Sequence, residues 1–136
     1  KFDKALKALD YCQQVIPSKN VPHDYILSSS KEMADLYITL DELAKAEAIL
    51  DELANKAVEY ITWYMSMDDE HLAYAYENCY RNFLILDEVN KSLSKISSLS
   101  EAKSNIEVKT SSDIALHYAK KFEELYSLFN ARIGKK

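Results

Sequence analysis

Apolar residues recur along this chain at alternating intervals of three and four, the spacing that lines one stripe of an α-helix. Phe2, Ala5, Leu6, Leu9, Cys12 and Ile16 form the first stripe, with Lys1, Lys4 and Lys7 on the opposite side. This predicts a helix from about Phe2 to Val15. Pro17 and Pro22 bracket Ser18-Lys19-Asn20-Val21, and proline gives a helix no amide proton, so residues 17–26 are expected to be a loop that packs through Val21, Tyr25 and Ile26. Ser28-Ser29-Ser30 followed by Glu32 offers N-caps and a capping box. A second helix starting there carries Met33, Ala34, Tyr37 and Leu40 inward and turns at Asp41. From Glu42 onward Leu43, Ala46, Ile49, Leu50, Leu53, Ala57 and Tyr60 share a face, which predicts a helix reaching Trp63-Tyr64-Met65. Ser66 paired with Asp69, and the acidic run Asp68-Asp69-Glu70, open another long helix. Leu72, Tyr76, Cys79, Phe83, Leu86 and Leu93 step along it to about Ile96, with a break at Asn90. Ser97 to Ser112 is rich in serine and sparse in apolar residues, the composition of a flexible or irregular connection. Thr110 and Asp113 cap a final helix through Ile114, Tyr118, Phe122, Leu125 and Phe129, stopped by Gly134.

Composition adds that every element is helical. With one Gly and two Pro in 136 residues, helix propensity is high and hairpin turn chemistry is nearly absent. The expected fold class is all-α, about five helices in antiparallel hairpins. Residues 1–136 form one domain, with a core over 1–96, a connection over 97–112 and a C-terminal helix over 113–133. A chain of this length buries roughly two-thirds of its unfolded surface, enough for a core without staples. Cys12 and Cys79 sit at apolar positions of separate helices and read as small core residues; two cysteines without a spacing pattern are weak grounds for a disulfide.

Charge narrows the partners. The net charge is −5 with dispersed lysines, so no basic stripe exists to neutralise a run of phosphates, and nucleic acid is excluded as a partner. Residues 24–88 hold 15 acidic and 4 basic side chains, the remainder 7 and 13. Solvated helix faces explain this unevenness more simply than an acidic surface built for a basic partner. No run of apolar residues is long enough to cross a bilayer.

Chemistry is sparse. His23, His71 and His117 are scattered, and no metal-ligand spacing occurs. Asp68-Asp69-Glu70-His71 is the one dense group of potential ligands, and its place in a first helical turn is explained by capping and the helix dipole. No nucleophile elbow and no glycine-rich phosphate loop is present, so no catalytic, cofactor or metal residue is assigned. Aromatic residues do cluster. Tyr60, Trp63, Tyr64, Tyr74, Tyr76 and Tyr80 surround one helix junction, where they chiefly fill the seam; Trp63 and Tyr74 are the members expected at the surface.

Met33-Ala34, Tyr37, Ala46, Leu50 and Leu53 fall at spacings that resemble a tetratricopeptide repeat, in which small residues let antiparallel helices approach closely. Ala5, Leu9, Cys12 and Pro17 resemble the second half of that pattern, so the chain is expected to be a piece of a longer protein that starts inside a repeat. Leu9-Asp10-Tyr11-Cys12, Val15-Ile16-Pro17, Val21-Pro22-His23-Asp24-Tyr25, Ala34-Asp35-Leu36-Tyr37 and Thr62-Trp63-Tyr64-Met65-Ser66-Met67 carry a more specific likeness. Together they resemble the C-terminal soluble region of multi-pass membrane proteins from Bacteroidetes. The N-terminal half of those proteins is a domain of unknown function similar to GT-C glycosyltransferases and protein O-mannosyltransferases. Members of that group typically have Gly where this chain has Asp41.

The resemblance implies a TPR-like α-α superhelix tethered at the bacterial inner membrane, on the periplasmic side in the expected arrangement. It implies a non-catalytic accessory role that positions a protein partner or acceptor beside its own upstream membrane domain, with no cofactor. In such repeats the first helix of each hairpin lines the concave face, which selects Ser28, Lys31, Asp35, Ile38 and Thr39 as partner-binding residues; Trp63 and Tyr74 are added as the surface members of the aromatic cluster. The alternatives are a purely structural or oligomerisation domain and a free-standing TPR adaptor.

Overall fold

Ala34, Ala46, Ala54, Ala57 and Ala75 have no surface exposed to water. A buried methyl where a larger side chain would stand lets two helix axes come close, and the seam is then filled by Leu43, Leu50, Leu53, Ile61, Leu86, Val89, Leu93 and Ile96, each at most 2% exposed. The computed structural model describes residues 2–15, 23–103 and 111–134. Over these it holds five helices, α1 (Phe2–Val15), α2 (His23–Thr39), α3 (Leu43–Met65), α4 (Leu72–Lys103) and α5 (Ser111–Gly134), with a short 3-10 turn at Asp69–His71 before α4. No strand occurs among the described residues. The all-α arrangement of helix hairpins expected from the sequence is the one formed.

α1 packs on α2, α2 on α3, α3 on α4 and α4 on α5, while α4 also reaches α2 and α5 also reaches α3. Tight turns between α2, α3 and α4 make consecutive helices antiparallel, so α2 and α4 run parallel. Of the stripe assigned to α1, the side chains of Phe2, Leu6, Leu9 and Cys12 and residue Ile16 lie outside those described; Ala5 is half-buried, and Lys4 and Lys7 are exposed.

The turn between α2 and α3 explains itself. The amide of Glu42 donates to the carbonyl of Tyr37 (2.8 Å) and that of Asp41 to the carbonyl of Ile38 (3.1 Å), the paired bonds of a Schellman ending. Such an ending needs one left-handed residue, and Asp41 supplies it at φ 63°. A glycine would adopt that conformation without strain.

Three boundaries differ from those read in the sequence. The segment 17–26 is not wholly a loop, because α2 begins at His23 and takes in Asp24, Tyr25 and Ile26. Ser28 to Ser30 therefore lie inside α2, and the capping box placed at Ser29 is not its start. The connection assigned to 97–112 is also shorter: α4 continues to Lys103 and α5 opens at Ser111. Ile96 and Ser100 are buried and Leu99 half-buried, so the inward stripe persists through the serine-rich stretch and holds it helical. Residues 104–110, and with them Thr110, lie outside the described residues.

Candidate functional site

Of the residues assigned to a concave face, Lys31, Asp35 and Thr39 stand four apart along one side of α2, while Ile38 turns inward. Ile38 is only 8% exposed and joins the core with Ala34 and Leu43, so it is a packing residue rather than a contact for a partner. Lys31 lies mostly under cover and its ammonium bridges both carboxylate oxygens of Asp35 at 2.8 and 2.9 Å. Asp35 also accepts from Ser92 of α4 at 3.4 Å, and Thr39 donates its hydroxyl to the Asp35 carbonyl. These contacts join neighbours on α2 and one residue of α4, and they leave Asp35 and Thr39 exposed. The side chain of Ser28 lies outside those described.

Trp63 and Tyr74 are each 55% exposed, in agreement with their placement from the sequence. Both rings rest on the buried Tyr64, at 5.0 and 5.9 Å between centroids. They belong to a different region from Asp35: on α4, Tyr74 precedes the Asp35 neighbour Ser92 by 18 positions, about 27 Å along a helix axis. Of the residues assigned from the sequence, Lys31, Asp35 and Thr39 thus lie on α2, Trp63 and Tyr74 lie about Tyr64, and Ile38 lies in the core.

A third region carries the larger unpaired surface. α5 is held beside α3 by three polar anchors that fix its direction as parallel: Ser111 donates to the Glu47 carboxylate, Tyr118 donates to the carbonyl and carboxylate of Asp51 (3.2 and 3.1 Å), and Arg132 donates to the carbonyl oxygens of Met65 and Met67. Aromatic rings then join α5 to α4. Phe83 lies edge-on to Phe122, Tyr126 and Phe129 at 5.2, 5.4 and 5.5 Å, and Phe129 meets Tyr76 at 5.5 Å. On the side of this seam turned away from α3 the two helices leave a groove. Tyr80, Leu84 and Asp87 form one wall, Phe122, Tyr126 and Phe129 the other. A second, more open depression lies farther along the same pair of helices, between Asn90, Ser94 and Ser97 of α4 and Ser112, Ala115, Leu116 and Ala119 of α5. Tyr80, Leu84 and Leu116 are more than half exposed.

The sequence signal for this groove was present. Leu84 and Leu116 are large apolar residues that fall off the inward stripes of their helices and are more than half exposed.

Ionisable groups give little chemistry. Burial pushes the Cys79 thiol up to about 11, and its sulfur is 3.7 Å from the carbonyl of Ile61, so this cysteine is a protonated packing residue. Burial, reinforced by the neighbouring Asp51 carboxylate, raises Tyr118 to about 12. Asp68, Glu70 and His71 bring their ligand atoms within 4.8 Å of one another, but all three are exposed. The hydrogen bond from the His71 ring (2.7 Å) lowers the Asp68 pKa, and the pair reads as the local cap of the turn before α4.

Compared with known proteins, the chain matches no family model, no curated protein and no solved structure.

Proposed function

We propose that this domain is a helical-repeat interaction module of TPR-like type, in which the groove between α4 and α5 receives a partner polypeptide. The observation that supports this reading is the exposure of Tyr80, Leu84 and Leu116 in the two depressions between α4 and α5. Large apolar side chains kept in water at considerable cost form a patch that gains free energy when covered, at roughly 25 cal/mol per Å². The face first read as concave is the weaker candidate, because its charges are already paired and Ile38 is buried.

The resemblance to membrane proteins of the GT-C type sets the context of the proposal. The module would be tethered at the inner membrane, on the periplasmic side, and would position a protein partner or acceptor for the membrane domain, itself contributing no catalytic residue. No described helix is long and apolar enough to cross a membrane.

The test is photo-crosslinking from the groove in intact cells. A photoreactive amino acid replaces Leu84 in the full-length parent protein, and a second version carries it at the exposed position Glu59. The proposal expects crosslinks from position 84 that map to one defined polypeptide segment and are absent from position 59. Adducts of equal diversity from both positions, or none from 84, refute it.

A further inference from the structure

We infer that α5 detaches from the domain as one unit, in an opening that leaves α2, α3 and α4 packed together. The first ground is the way the helices lean on one another. α5 packs on α4 and α3, whereas α3 is flanked by α2 as well as by α4, and α4 also reaches α2. Every other helix keeps a neighbour when α5 leaves.

The second ground is burial. α3 withdraws Leu43, Leu50, Leu53, Ile61, Tyr64 and three alanines from water along its 23 residues. Along the 24 residues of α5 only Ser111, Tyr118 and Phe129 are buried. Leu116, Tyr126, Leu128 and Ile133 of that helix are exposed while it is docked, so undocking adds little to the water they already meet. Hydrophobic stabilisation follows the apolar area kept from water, and by that measure α5 is held less firmly than α3. Opening of one such unit below the free energy of global unfolding is ordinary behaviour for a folded domain.

The third ground is the kind of bond. α5 is anchored to α3 through polar groups: Ser111 to the Glu47 carboxylate, Tyr118 to Asp51, and Arg132 to the carbonyl oxygens of Met65 and Met67. On opening, water replaces each partner, and that exchange makes the net strength of a hydrogen bond small. Such anchors set where α5 sits more than they hold it there. The apolar cost of opening falls on Phe83, whose ring meets Phe122, Tyr126 and Phe129, and on Tyr76, which meets Phe129. Those two rings of α4 are what the opening bares, and the groove loses one wall at the same moment.

The test is native-state hydrogen exchange, read residue by residue by NMR at urea concentrations below the unfolding transition. A helix freed from its packing unwinds in part, so opening makes its amides exchangeable. Amides from Ala115 to Phe129 are expected to exchange at least about tenfold faster than those of Leu50, Leu53 and Ala57 in α3. They should do so through one shared opening, with a urea dependence above zero and below that of the α3 amides. Two conservative variants separate detachment from general looseness. Ile38→Val removes one carbon from the core on α2, where the contact persists whether α5 is docked or not. It is expected to speed α3 exchange about twofold to tenfold and to leave α5 exchange unchanged. Tyr118→Phe removes bonds that only the docked state has, and is expected to speed both sets equally, by about fivefold. Equal rates and equal urea dependence in α3 and α5 overturn the inference, as does α5 exchange that accelerates along with α3 in Ile38→Val. Exchange that advances inward from Gly134 without responding to urea is fraying of a helix end, and overturns it too.

Discussion

Arg132, near the end of α5, donates its guanidinium to the carbonyl oxygens of Met65 and Met67, at the end of α3 and in the turn that follows. The last carbonyls of a helix have no partner within it, and the helix dipole makes that end negative, so the cation both satisfies acceptors and answers the field. Arg132→Ala is expected to cost roughly 1.5–3 kcal/mol. Arg132→Lys should recover only part, because an ammonium does not span two acceptors as a planar fork does. Urea midpoints of the two variants check this; equal loss from both would mean that charge alone carries no weight here.

Tyr118 gives the fold a limit in alkali. Its folded-state pKa stands at about 12 against 10.0 for the free side chain, chiefly through burial and then through Asp51. The neutral phenol is therefore the form the folded state favours, and the stability tied to it is intact below about pH 10 and is lost as the pH climbs toward about 12. Tyr118→Phe should lower stability near neutrality by about 1 kcal/mol, for the lost hydrogen bonds, and should show a shallower fall between pH 10 and 12. A fall as steep as that of the wild type would assign the alkaline loss to another group.

At the α2–α3 turn a stabilising change is available. Asp41 at φ 63° holds a conformation that costs a side-chain-bearing residue roughly 1 kcal/mol. Asp41→Gly is expected to raise the melting temperature, by several degrees for a chain of this size, with Asp41→Val falling in the other direction. A lowered melting temperature for the glycine variant would show that the contacts of the Asp41 side chain outweigh its backbone strain.

Cys79 should behave as an inert thiol. It is fully buried and its pKa is near 11, so in a chain carrying Cys12→Ser a thiol reagent at pH 8 is expected to leave the folded protein unmodified for hours and to label it at once in denaturant. Rapid labelling without denaturant would point to local opening of α4 beside Ile61.

Helix number and inward stripes were legible because one rule, spacing by three and four, governs nearly the whole chain. Leu50, Leu53, Phe83 and Leu93 all lie where that rule puts them. Boundaries were harder, since local composition competes with tertiary packing. The serines from 97 to 100 read as a loop, yet Ile96 and Ser100 are buried under neighbouring helices and keep the segment wound. The candidate surface was least legible. Lys31 and Asp35 stand four apart, a spacing at which pairing is legible, but the burial of Ile38 follows from tertiary packing, and the groove exists only because α5 returns beside α4 and brings Phe122 and Tyr126 next to Tyr80 and Leu84.

The clasp at Arg132 also places the final turn of α5 beside the only tryptophan of the chain, two residues before Met65. A fluorescent acceptor coupled at position 134 would therefore sit within energy-transfer range of Trp63 while α5 stays latched, and would go dark when it swings free. Trp63 thus serves as a built-in optical gauge of whether α5 is closed.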